Sequence, residues 1–341
     1  MKVSSFIHSD SAHPTTLTEI KRMHDRVSPT DFFGVYAYAT SSGVASFELE
    51  FGQSFWLDAP SRWLFGLDYG RTQPQALRRI IQKPNTEVKI VDGAWIVEQE
   101  GFLPRRDFHA KLALLRNPQE VRFGMVVGSG NFSSNGLKKS LEGGAVIYVD
   151  NKVDYNKCLS KSFAIAKGLW KNATPAEEVL SAYEERWTNS FSRGVAIAED
   201  GIFGPRQIFW IEAGYVTKNR GEFSPGNQID LPRGMSRFFG FNPDRNLPLN
   251  SIIGAVTFLT PVGGPITRNL RLGNNQMEKI TLPIPETHGF DIYDGKVLVF
   301  QTHEDGFKTR ALEGDDFESA FGDRLKDVRV MGSGRRYGYI E

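Results

Sequence analysis

The sequence predicts an α/β domain followed by a β-rich, barrel-like one, and three observations carry that reading. Through the first 150 residues, short β-branched and aromatic runs alternate with stretches of helical periodicity. From about residue 152 the pattern is helical alone, and beyond about 200 it consists of short strands separated by frequent Gly and Pro. At 341 residues the chain is long enough for two cores. The expected division is 1–195 and 196–341.

The elements follow in order. FFGVYAYA (32–39) is an apolar run suited to a strand, and the small-residue turn after it enters a helix in SGVASFELEF. RWLFGLDYG (62–70) reads as a strand, TQPQALRRIIQ (72–82) as a helix with Pro74 near its start, and EVKIV as the next strand. FHAKLALLR and VRFGMVVGS are strands joined by the turn NPQE, and GGAVIYVD is another. After the helical stretch 152–170, Thr174-Pro175-Ala176-Glu177 has the form of a capping box leading into Val179, Leu180, Tyr183 and Trp187. In the second half, IFWIEAGYV, SIIGAVTFL and KVLVFQTHEDGFKTRAL read as strands, with Asp305-Gly306 marking a hairpin. EGDDFESAFGD reads as a solvated helix start. There is no internal repeat.

Composition narrows the function classes. Hydrophobic residues make up 40% and charged ones 24%, as in ordinary globular proteins, so disordered and fibrous classes fall away. No window approaches the roughly 18 apolar residues of a membrane span, and the first residues lack a secretory apolar block, so the expectation is a cytoplasmic protein without membrane association. The single cysteine, Cys158, forms no intramolecular disulfide and has no local metal-ligand partners. A net charge of +1 means that any basic surface is local. No metal site and no cofactor are expected.

One constellation stands out. In an extended strand His109 and Lys111 share a face, while Phe108, Ala110 and Leu112 share the other. The next strand ends in Gly128-Ser129-Gly130-Asn131, where small residues permit close backbone approach and Ser129 and Asn131 supply hydrogen-bond donors for an anion. Helical continuation through FSSNGLKKSL would add backbone amides. His8, His13, His24, His288 and His303 lack matching lysines and read as ordinary surface or core histidines.

The pairing of His109-Ala110-Lys111 with Gly128-Ser129-Gly130-Asn131 resembles the signature of the phospholipase D superfamily. GVYAYATSSGV, GLDYGRTQPQAL and an acidic residue past the asparagine, Glu142, occur in the order of that family's nuclease branch, so the resemblance covers about residues 30 to 150. The full signature has an Asp five residues after the lysine; here Arg116 stands there, as nuclease members often lack this Asp. The resemblance implies an α-β-α sandwich in which His109 attacks phosphorus, Lys111, Ser129 and Asn131 hold the phosphoryl oxygens, and Glu142 orients the imidazole. It also implies a second histidine as acid. Since the motif occurs once, this leads to a homodimer with a shared active site and no metal.

Domain order is similar to that of metal-independent restriction endonucleases of this superfamily, whose second domain is a DNA-binding pseudobarrel. On that analogy Lys218, Asn219, Arg220, Gln228, Arg233, Arg237, Arg335 and Arg336 are the expected DNA-binding residues, being side chains that read base edges and hold phosphates. Residues 201 to 341 carry 17 basic and 17 acidic side chains, so bulk charge does not single this half out. The resulting expectation is a DNA endonuclease of restriction or phage defence, with a helicase or methyltransferase as a further partner. The alternatives are a phosphatidyl transferase or phospholipase of the same fold, and a non-catalytic nucleic-acid-binding protein.

Overall fold

The computed structural model describes residues 1–8, 14–99, 102–191, 207–214, 216–217, 220–221, 224–244, 246–331 and 335–341. The chain forms two compact units, Met1–Ser190 and Phe191–Glu341. The expected division between 195 and 196, His13, Lys218 and Asn219 lie outside the described residues.

The first unit is built on eight strands: β1 (Lys2–His8), β2 (Asp31–Tyr36), β3 (Ser61–Phe65), β4 (Thr86–Ile90), β5 (Lys111–Asn117), β6 (Arg122–Gly128), β7 (Glu142–Val149) and β8 (Thr174–Pro175). They form one sheet in the order β1-β7-β6-β5-β2-β3-β4-β8. β2, β3 and β4 are parallel, as the strand–helix alternation requires. From β5 to β1 every pairing is antiparallel, each strand returning along its neighbour.

Helices cover both faces. α1 (Thr16–Val27), α2 (Ser41–Phe51), α3 (Ser54–Asp58), α4 (Pro74–Ile81) and, after the four-residue α5 (Gly93–Ile96), the long α8 (Ala176–Phe191) contribute to the larger core, with Phe32, Tyr36, Trp63 and Phe65 from the sheet. α6 (Lys152–Cys158) and α7 (Ser160–Asn172) lie against the other face, where Phe33, Val35, Leu64 and Leu114 pack near Phe163, Ala166 and Trp170. Successive β2 residues therefore face opposite cores, which is why FFGVY is apolar throughout. α1 begins at a capping box between Thr15 and Thr18. Thr174 and Pro175 do not cap α8; they form the short edge strand β8 against β4.

The second unit is a nine-stranded sheet of β9 (Ile208–Glu212), β10 (Gln228–Leu231), β11 (Ile252–Leu259), β12 (Ile266–Leu272), β13 (Glu278–Thr281), β14 (Val297–His303), β15 (Gly306–Leu312), β16 (Leu325–Val330) and β17 (Arg336–Ile340). Its order is β10-β13-β12-β11-β15-β14-β9-β17-β16, antiparallel except for β11 with β15. One face encloses Phe209, Ile211, Phe258, Leu270, Ile280 and Phe300. The other packs Trp210, Val297 and Val299 on α10 (Gly314–Phe321), the helix expected in EGDDFESAFGD; α9 (Pro285–His288) is a single turn.

The sheet curls. The edge strand β10 meets the chain beyond β9 through a bridge between Thr217 and Gln228, and Arg335 donates to Ala213 O at 3.0 Å and Asp230 O at 2.7 Å across the same seam. The expected hairpin is present, but its turn falls one residue early. His303 pairs with Gly306, so Glu304 and Asp305 form the loop and Gly306 opens β15.

A charged cluster inside the first unit gives a stability test. Glu48 on α2 is buried and paired with Arg79 and Lys83. Burial pushes its carboxyl up, but the two cations outweigh this and hold it at about 2. A depressed carboxyl stabilises the fold above its ordinary value, and the contribution is lost as pH falls towards the folded value. Between about pH 5 and pH 2 this group should account for about 3 kcal/mol of lost unfolding free energy. Denaturant unfolding followed by tryptophan emission should show a shallower acid limb in Glu48→Gln by that amount.

Candidate active site

The reversal of chain direction at β5 brings many strand ends to one rim of the first sheet. β1, β2, β3 and β6 finish there, and β5 and β7 begin there. Register fixes the neighbours: Tyr36 opposes Lys111, Gly128 opposes Gly144, and His8 opposes Glu142.

His109 does not lie in the strand, as the alternation of faces had suggested. The β2–β5 ladder ends at the Tyr36–Lys111 pair, so β5 starts at Lys111 and His109 belongs to the irregular segment leading in. Its side chain is exposed. The two groups still meet: Lys111 Nζ lies 3.1 Å from His109 Nδ1 and donates to His109 O at 2.9 Å. Partial burial lowers the Lys111 ammonium, with nearby Arg71 acting in the same sense and Glu142 opposing it.

Across the rim, Ser129 Oγ donates to Glu142 Oε2 and accepts from Gly143 N at 3.1 Å, while Ser129 N donates to Gly143 O at 3.0 Å. Glu142 therefore holds Ser129, and among the described residues it makes no hydrogen bond to His109. Asn131 presents a buried Oδ1 without a hydrogen-bond partner among the described residues.

The loop carrying Ser129 and Asn131 is set by close approaches. A Cβ on Gly130 would come within 2.0 Å of Gly136 O, and one on Gly43 within 2.0 Å of Phe132 O. Phe132 thus pairs with the segment after β2, accepting from Thr40 N at 3.0 Å and donating to Tyr38 O at 3.2 Å. The expected helical continuation is a single five-residue π-helical turn, Asn135–Lys139, which supplies no helix N-terminus to the site.

Two residues at the rim escaped sequence reasoning. Asp68, in the turn after β3, accepts Phe108 N at 2.7 Å with Oδ2, anchoring the segment that carries His109. Its Oδ1 is buried without a partner among the described residues. Burial raises its carboxyl and Asp107 adds to this, while the Phe108 N–H and His109 work against it. An acidic residue between Gly66 and Gly70 in GLDYG was the available signal. His8, taken for an ordinary histidine, is buried beside Glu142, with Nε2 at 3.4 Å from Thr16 Oγ1. Burial lowers its imidazole and Glu142 opposes the shift. Only the β1–β7 pairing reveals that neighbour.

Arg116 stands at the opposite rim, where its Nε donates to Asp31 Oδ2 at 2.5 Å. Asp31 is also gripped by Arg62 through both of its oxygens. Among the described residues, no group of three or more His, Cys, Asp or Glu side chains is placed to hold a metal ion.

In the second unit the expected DNA-binding residues separate. Arg233 and Arg237 are exposed around a short turn, Met235–Arg237, whose amides at Gly234 and Ser236 are held by the buried Glu278 carboxylate. Arg220 forks onto Glu286 and donates to Pro225 O, and Gln228 bonds Thr281 and Arg271. Arg335 and Arg336 are not on an open tail. Both are buried, Arg335 across the sheet seam and Arg336 between Glu212 and Glu318, because strand β17 draws them into the sheet.

No protein-family model matches the chain, and no curated protein does. Among solved structures, the chain is similar to NucT from Helicobacter pylori, with TM-score 0.36 and 13% identity over 51% of this chain and 98% of that one. It is similar to the phospholipase D family member Nuc from Salmonella typhimurium, with TM-score 0.36 and 11% identity over the same shares. It is also similar to phosphatidylserine synthase from Haemophilus influenzae, with TM-score 0.36 and 10% identity over 56% of this chain and 45% of that one.

Proposed function

We propose that the chain is a phosphodiesterase of the phospholipase D superfamily that cuts DNA without a metal ion, using His109 as nucleophile. The observation that supports this most directly is the exposed imidazole with an ammonium 3.1 Å from its Nδ1, on a rim that also presents Ser129, Asn131 and Glu142. A phosphodiester needs a nucleophile, cationic donors for its non-bridging oxygens, and a proton for the leaving oxygen.

In this reading Lys111, as an ammonium, donates to His109 Nδ1, which places the ring proton on Nε2. A bound phosphoryl oxygen competes for the ammonium. Once Lys111 turns to it, the ring proton exchanges through solvent to Nδ1 and leaves the Nε2 lone pair free. Nε2 then attacks phosphorus, the bond to the leaving oxygen breaks, and that oxygen takes a proton from an imidazolium. Water next attacks the phosphohistidine, gives its proton to the now neutral acid, and the P–N bond breaks to restore His109. The acid in this reading is His109 of a second copy of the chain, in a homodimer with a shared site. Restriction or phage defence is the role we assign, with Arg233 and Arg237 of the second unit contacting DNA.

Plasmid cleavage in excess chelator tests the chemistry. The wild type should cut, and His109→Ala should lose about 10⁴-fold or more in kcat/KM. Loss of wild-type cutting in chelator would overturn the metal-free reaction, and cutting by the variant would overturn the nucleophile. A monomer by sedimentation, both alone and on DNA, would sink the shared site.

DNA binding followed by anisotropy over a salt series tests the second unit. Arg233→Ala and Arg237→Ala should each flatten the log K against log salt slope by about 0.9. Arg336→Ala should instead lower the melting temperature, since its guanidinium holds Glu212 and Glu318.

A further inference from the structure

Tyr69 adopts φ 58°, ψ 20°, a left-handed conformation that suits glycine and that a bulky side chain rarely takes. Its own surroundings enforce it. Gly70 follows with φ 69° and accepts Trp187 Nε1 at 2.7 Å, Thr72 O accepts Tyr183 OH at 2.6 Å, and Asp68 is fixed by Phe108 N. The outcome is an aromatic ring pushed out of the turn after β3, on the same rim as His109, with half of its surface exposed.

The ring is held rather than loose. Tyr69 OH donates to Asp107 Oδ1 at 2.8 Å, two residues before His109. That hydrogen bond also raises the phenol above its ordinary value. Arg71, two residues on, is exposed and close enough to Lys111 to depress its ammonium. Beyond β4, the partly exposed Trp95 is covered by Arg105, with Cζ 4.2 Å from the ring centroid, and Arg105 is two residues from Asp107. An exposed aromatic ring and an exposed guanidinium beside the lysine proposed to hold the phosphate are the groups that a polynucleotide strand uses. A lipid phosphodiester has no flat group for Tyr69.

We infer that Tyr69 is a base-stacking residue of the proposed nuclease site: its ring receives the nucleobase next to the scissile phosphate, and Arg71 takes the neighbouring phosphate. This rests on the nuclease reading and adds what the site recognises locally, a nucleotide unit instead of a bare phosphodiester. Stacking at such a platform favours a base over no base by about 5- to 150-fold.

A thermodynamic cycle tests it. Cleavage rates are measured on a thymidine homo-oligomer and on a homo-oligomer of abasic tetrahydrofuran residues of the same length, with wild type, Tyr69→Ala and Tyr69→Phe. The preference for the thymidine strand should shrink by about 5-fold or more in Tyr69→Ala and stay within about 3-fold of wild type in Tyr69→Phe, which keeps the ring and loses the Asp107 bond. Using the ratio removes any general loss of fold or rate. An unchanged preference in Tyr69→Ala overturns the inference. So does equal loss in both variants, which would assign the effect to the hydrogen bond. No His109-dependent cutting of the thymidine strand, with plasmid cutting intact, overturns the inference alone. Its absence on both substrates overturns the nuclease reading beneath it.

Discussion

The β2–β5 ladder is the interaction on which the candidate site depends. It is where a parallel sheet turns antiparallel, and its last pair, Tyr36 with Lys111, settles which residue is held and which is released. Lys111 is fixed by backbone pairing, while His109, two residues earlier, is free of the ladder and is tethered, among the described residues, by the lysine itself and by the Asp68 bond to the preceding Phe108 N. In the proposed reaction the nucleophile advances on phosphorus and the charge clamp does not, and on that reading the end of the ladder divides the pair according to task.

Around this point the protein keeps charges partly out of water. Lys111 and His8 are lowered mainly by burial and Asp68 is raised mainly by burial, with Glu142 acting on the first two and Asp107 on the third. Such a rim is electrostatically responsive, because the arrival of one anion changes the balance at several groups at once. The loop opposite is rigid for a different reason. Gly130 against Gly136 and Gly43 against Phe132 leave no room for side chains, so the backbone of Ser129 to Phe132 is located by contact on both sides.

Much of the first unit was legible in the sequence because its signals are local. The strand within 32–39, the helix within 72–82 and the two strands around NPQE each carry their own periodicity, and each is present. The first strand stops at Tyr36, however, and Thr72 does not open the helix: Gln73 is its N-cap and the Thr72 hydroxyl donates to Gly66 O. The strand Lys2–His8 was not legible. It is an edge strand whose outward residues Val3 and Ile7 are exposed, so it has no buried stripe to read, and its existence is owed to pairing with β7. With it went the position of His8. In the same way, basic side chains near the chain's end looked like a solvated patch, but charge type alone does not say whether a guanidinium meets water or a carboxylate. Arg335 and Arg336 are drawn inward by a strand whose neighbours are distant in sequence, whereas Arg233 and Arg237 stay outside because a tight turn displays them.

Arg116 shows what a departure from a motif can mean. Five residues of extended chain carry it from the rim of Lys111 to the far rim, where Asp31 binds it together with Arg62. Position 116 is therefore answerable to the first residue of β2 and not to the candidate site. An acidic residue at this position would face Asp31, so it should require a basic residue at 31 and, with that, the loss of the cation at 62, because Arg62 shares the same carboxylate.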